Sequence, residues 1–198
     1  MKTGNPEHPK ASIIVTDAGP LVTLAVAEAL DTLLLPGLRV IIPDMVRFEV
    51  TRHLDKPGAQ EILDWIRKNE PERVHVGTTE TFDEFETLLN ANLRVRSRSR
   101  GEESASEILS RELAKSNDKI GILLFEDADI TKTNFLVRLP DRVIVFSTAS
   151  FLKRLESKHL IDNARDILEK ALSIRGNRIL SEQENYMEGV DISFDPFY

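Results

Sequence analysis

The chain has no cysteine. Disulfides and thiolate zinc sites are therefore excluded, and a reducing compartment, the cytoplasm, is expected. Histidine is scarce: His8, His53, His75 and His159 stand apart with no metal-type spacing. Any metal would be a hard ion held by oxygen. Aromatics make up 6% of the 198 residues, with a single tryptophan, and no base-stacking platform is legible among them. No apolar run approaches the roughly 20 residues needed to span a bilayer, so no membrane association is expected. The opening "MKTGNPEHPKAS" has no hydrophobic stretch, and the run from Ile13 is broken by Asp17, Gly19 and Pro20. A secretory signal is not expected either. The formal net charge of -7 argues against a protein that coats nucleic acid by bulk electrostatics, but leaves room for a local basic patch. There is no GxxxxGK[ST] phosphate loop, internal repeat or low-complexity linker.

What is present alternates. Short apolar runs at 12–17, 38–43, 73–76, 119–127 and 142–148 read as strands. The first lacks polar alternation, as in parallel sheets covered on both faces. Helical patterns follow Pro20 (to Leu30) and Pro43, and occupy 56–69, 79–93 with Thr79 as cap, and 101–116 with acidic residues in its first turn. A short helix is expected up to about Leu139, then two more at 149–161 and 163–177, with Gly176 as a stop. Trp65 is expected to anchor a core helix, flanked by Ile62 and Ile66 at helical spacing. The result is an α/β chain large enough for one core, with a domain at 12–150 and an extension at 151–198. In such sheets, ligands sit beyond the carboxyl ends of the strands near a topological switch point.

Carboxylates fall at that edge. Asp17 ends the first strand, Asp127 and Asp129 follow the fourth, Glu102 and Glu103 open a helix, and Glu49 lies a turn or two into another. Each has an ordinary explanation. Asp17 and Asp127 suit helix caps, Glu102 and Glu103 suit a helix N-terminus, and Glu49 suits a solvated face. Together they would repel one another unless a cation lay between them. Magnesium takes a few carboxylates, keeps several waters and binds phosphate oxygens, so the chemistry implied is metal-assisted hydrolysis of a phosphodiester. A phosphatase forming an aspartyl-phosphate is disfavoured, because the place two residues after Asp17 is Gly19.

Four motifs in order resemble the PIN-domain family: "DAGPLVTLA" (17–25), "RFEVTR" (47–52), "GEESA" (101–105) and "LLFEDADI" (123–130). The segment from Leu152 to Gln183 is similar to a VapC-like branch that ends in a helix pair and a short arm. The resemblance implies a three-layer α/β/α PIN-like fold with a central parallel sheet, and a Mg2+- or Mn2+-dependent ribonuclease. It further implies a toxin of a toxin–antitoxin pair, dimeric and silenced by a small antitoxin protein. Carried across, Asp17, Glu49, Glu102 and Asp127 form the acidic quartet. Asp17, Glu102 and Asp127 hold the metal, Asp129 is an accessory ligand, and Glu49 orients or deprotonates water. Glu103 competes with Glu102, and Glu126, Asp127 and Asp129 offer three carboxylates for one or two places. Thr148 falls where the family often puts a hydroxyl near the metal, although a strand-end helix cap reads as well there.

"NLRVRSRSRGEE" places Arg94, Arg96, Arg98 and Arg100 just before the third motif. They read as a clamp for RNA phosphates, as a solvated loop, or as a dock for an acidic segment such as the tail after Arg178 or an antitoxin. The aromatic end of that tail reads as a frayed terminus or as a contact with a second subunit. The competing function is a catalytically silent PIN-like module that binds RNA or a protein partner.

Overall fold

A computed structural model describes residues 10–93, 99–126 and 139–175. The chain runs β1 (Lys10–Thr16), α1 (Ala18–Val26), β2 (Arg39–Pro43), α2 (Asp44–Thr51), α3 (Ala59–Asn69), β3 (Val74–Gly77), α4 (Glu80–Asn90), α5 (Arg100–Ala114), β4 (Lys119–Leu124), β5 (Val143–Phe146), α6 (Thr148–Ser157) and α7 (Ala164–Arg175). The five strands form one parallel sheet in the order β3-β2-β1-β4-β5. The architecture is α/β, a central sheet with helices on its faces, consistent with three α/β/α layers. The sheet grows outward from β1 in both directions, so the switch point lies between β1 and β4.

Alternation along the strands sorts the core into two halves. Ile14, Val40, Ile42, Ile122 and Leu124 face one layer, packed with residues of α1, α3, α6 and α7. Ile13, Val15, Ile41 and Leu123 face the other, where Ala105, Ile108 and Leu109 of α5 cover them. In the central strands β1, β2 and β4 both faces are covered, so both sets of positions are mostly apolar and the runs lack polar alternation, whereas the edge strand β3 carries the half-buried His75. In α7, Ala164, Leu168 and Ala171 belong to the same core cluster as the sheet and α1. The extension is thus packed into the main core. Trp65 is 7% exposed between Ile62 and Ile66, and its Nε1 donates to Asp31 Oδ1 at 2.8 Å. A buried indole requires such a partner for its N–H.

Several boundaries differ from the expectation. Helix α1 ends at Val26 rather than near Leu30, because Glu28 takes a left-handed φ of 57°, after which Leu30–Leu34 forms a short 3-10 helix. Pro43 closes β2 and sits at the cap of α2, which starts one residue later. Thr148 is the first residue of α6 and not the end of a strand. Ser147 starts the helix by accepting the Ser150 N–H at 3.1 Å. The cap at Thr79 is present, its Oγ1 accepting the Phe82 N–H at 3.2 Å. The helix expected up to Leu139, the stop at Gly176 and the tail lie outside the described residues, apart from Leu139 itself.

Candidate active site

The sheet brings carboxylates to its switch point. Thr16 pairs with Leu124 in the β1/β4 ladder, and the Asp17 N–H continues that ladder to Leu124 O at 3.0 Å. Asp17 is therefore held where β1 gives way to α1. It occupies the N-cap position, yet its side chain makes no capping hydrogen bond. Its Oδ1 lies 3.2 Å from the point where a Cβ on Gly101 would be, and Glu49 Oε2 lies 3.3 Å from the same point. Asp17 and Glu49 thus converge from β1 and α2 on the first turn of α5, and the glycine there leaves room for both oxygens. Glu102, next in α5, is half-buried, whereas Glu103 is exposed.

The electrostatics follow from this crowding. Burial pushes the Asp17 carboxyl from its usual 3.8 up to about 7, the Ala18 N–H opposes the rise, and the charges of Glu49, Glu102 and Glu126 add to it. Glu103 is not among those causes. The member of the Glu102/Glu103 pair that acts on Asp17 is Glu102.

Glu126 follows β4 closely and is held on both oxygens. Thr148 Oγ1 donates to its Oε1 at 2.6 Å, Thr23 Oγ1 to its Oε2 at 2.9 Å, and Arg175 Nη1 to the same Oε2 at 2.9 Å. Gly19 allows the approach: a Cβ there would lie 2.7 Å from Glu126 Cβ. Thr148 therefore serves Glu126, while its neighbour Ser147 caps the helix. The sequence offered Glu126 only as one of three adjacent carboxylates, and it gave no sign of Arg175. Asp127 and Asp129 lie outside the described residues.

The basic run is described only at its end, since Arg94, Arg96 and Arg98 fall outside the described residues. Arg100 is half-buried: its guanidinium sits 5.6 Å from the centroid of the Phe85 ring and donates to Thr81 O at 3.3 Å. It is engaged in tying α5 to α4. Phe85 also meets Phe48, with ring centroids 5.4 Å apart, so Phe48, next to Glu49 in α2, forms one cluster with Phe82 and Phe85 of α4. A buried polar knot lies close by. Asp44 accepts from Thr79 Oγ1 at 2.6 Å and from the Thr79 N–H at 2.8 Å, and Thr79 Oγ1 is 3.2 Å from Ser104 Oγ. That knot fixes α2, α4 and α5 relative to one another, and with them Glu49 and Glu102.

Among the described residues, no three His, Cys, Asp or Glu side chains are grouped to hold a metal ion as they stand. Asp17 and Glu102, within electrostatic reach of each other, are nonetheless hard oxygen donors with Glu49 alongside, and magnesium is usually bound by one or two carboxylates with waters and phosphate oxygens completing the shell. The donors present fit such an ion. Fold and site together define a doubly wound α/β protein with converging carboxylates at the switch point of its sheet. No protein-family model matches the chain, and no curated protein matches it.

Proposed function

We propose that the chain is a Mg2+- or Mn2+-dependent endoribonuclease of the PIN type, hydrolysing RNA phosphodiester bonds in the cytoplasm as the toxin of a toxin–antitoxin pair. The observation that carries the reading is the convergence of Asp17 and Glu49 on Gly101 beside Glu102, at the edge where a doubly wound sheet binds its ligands. The ordered motifs support the PIN assignment, and the toxin role, the homodimer and the antitoxin rest on that resemblance. No described helix is long and apolar enough to cross a membrane.

Asp17 and Glu102, with Asp127, would hold the ion, and Asp129 would assist. When bound, the ion lowers the pKa of a water and neutralises charge on the phosphate. Glu49 would orient the attacking water or accept its proton, from a helix kept in place by the Asp44–Thr79 bonds. The high proton affinity of Asp17 means that the metal-free site binds a proton near neutral pH, which a cation must displace.

The test is cleavage of single-stranded RNA by the full chain with Mg2+ and with EDTA, comparing wild type with Asp17→Asn and Glu49→Gln. Each variant should lose at least about 100-fold in rate with its fold intact by circular dichroism. Full activity in Asp17→Asn rejects the scheme. The ion-paired state of Glu126 favours a second reading, the silent binding module. A Mg2+ titration with no binding at millimolar levels would decide for it.

A further inference from the structure

Arg175 is the last described residue of the extension, and it ends beside the site. Its Nη1 donates to Glu126 Oε2 at 2.9 Å, to Gly19 O at 3.3 Å and to Thr23 Oγ1. The ion pair is well shielded: the Glu126 side chain is 7% exposed and that of Arg175 27%. The helix that carries it is anchored by Ala164, Leu168 and Ala171 in the core, so the guanidinium is delivered by a rigid element. Gly19 and Thr23 belong to α1, which begins directly after Asp17. The charge of Glu126 is among the causes that raise the Asp17 carboxyl, so the two groups lie within electrostatic reach.

We propose that Arg175 is a positioning residue of the acidic site, a built-in counter-cation that holds Glu126 and takes the place of a second divalent ion there. The proposal rests on the metal-dependent reading above and extends it to stoichiometry. A carboxylate recruited as a metal ligand must offer a free lone pair toward the ion. Glu126 instead accepts two hydroxyls and a guanidinium, which fill Oε2 and take one side of Oε1, so an ion could reach it only through the second lone pair of Oε1 and would lie close to the guanidinium. The fixed guanidinium also repels any dication brought to Glu126, because a shielded unit charge acts strongly over a few ångströms. The site thus keeps the Glu126 carboxylate neutralised by the protein and places a single ion at Asp17. A simpler role for Arg175, closing a helix C-terminus where the dipole favours a cation, would involve neither Glu126 nor the ion count.

The experiment is Mn2+ binding to the metal-free full chain, followed by electron paramagnetic resonance and calorimetry, with wild type, Arg175→Lys and Arg175→Met. The wild type should bind one Mn2+. Arg175→Met should bind a second ion, or the first roughly tenfold more tightly, and Arg175→Lys should restore the wild-type result. In EDTA, Arg175→Met should lower the melting temperature, and Glu126→Gln added to it should recover most of that loss. Two ions on the wild type, unchanged binding in Arg175→Met, or additive losses in the paired variants would each overturn the role of Arg175 while leaving the nuclease reading in place. No Mn2+ on any of the three chains would instead defeat the metal site itself, and this inference with it.

Discussion

Neutralising Asp17 should make the metal-free protein more stable at alkaline pH, an unusual result for a half-buried residue at the end of a core strand. In the folded chain its carboxyl titrates near 7 rather than 3.8, so between those values the native state holds a proton that the unfolded chain has lost. Stability must therefore fall as pH rises through that window and level off above it. A shift of about three units corresponds to about 4 kcal/mol at 1.36 kcal/mol per unit. Asp17 retains partial solvent access, which screens its neighbours, so about half of that is expected. Urea unfolding in EDTA should find Asp17→Asn more stable than wild type at pH 8 by about 2 kcal/mol, equivalent to roughly 4–8 °C in melting temperature for a chain of this size. Most of the advantage should vanish by pH 5, and millimolar Mg2+ should reverse it by stabilising only the wild type. Parallel stability–pH curves for the two chains, or a less stable Asp17→Asn at pH 8, would refute the reasoning.

Other substitutions probe the same geometry from different sides. A methyl added by Gly19→Ala lands 2.7 Å from Glu126 Cβ, an atom that cannot swing aside, so about 2 kcal/mol should be lost in urea unfolding. Gly101→Ala places its methyl 3.2 and 3.3 Å from oxygens of Asp17 and Glu49. Those oxygens can give by a few tenths of an ångström, so stability should change by under about 1 kcal/mol, while calorimetry should show Mn2+ binding weakened about tenfold. Thr79→Val removes the hydroxyl that bonds buried Asp44, contacts Ser104 and caps α4. It should cost about 2–3 kcal/mol in thermal or urea unfolding.

Legibility followed sequence distance. β1 and β4 were visible because each is a contiguous run of apolar residues buried on both faces, and the α4 cap because Thr79 and the amide it serves are three residues apart. Asp17, Glu49 and Glu102 could be proposed because strand ends and helix starts share an edge in any parallel α/β sheet. The Glu126 network had only a partial signal, the resemblance that put a hydroxyl at Thr148 and Glu126 among three candidate carboxylates. Its partners Thr148, Arg175 and Thr23 lie 22, 49 and 103 residues away, and a threonine or a C-terminal arginine has an ordinary helical explanation at each place. The same holds for Asp44 with Thr79 and Ser104, and for the meeting of Phe48 in α2 with Phe82 and Phe85 in α4, more than 30 residues away in sequence. Boundaries moved where one residue's backbone decided the matter, as at Glu28.

The two explanations open for Asp17, cap or site, predict opposite signs for its proton affinity. An aspartate that caps a helix accepts the N–H groups of the first turn, and those bonds together with the positive end of the helix dipole favour its charged form, lowering the pKa. Asp17 holds the cap position with only the adjacent Ala18 N–H favouring its charged form and no capping bond further into the helix, and its pKa moves the other way. Burial would raise an isolated carboxyl by itself, but here three further carboxylates add to the rise, each delivered by a different element: Glu49 by α2, Glu102 by α5 and Glu126 by the end of β4. A fold selected only for stability would relieve that repulsion with one change to Asn, the change expected to stabilise the metal-free chain. Local conflict kept in place by four separate elements is what a binding site for a cation requires before the cation arrives.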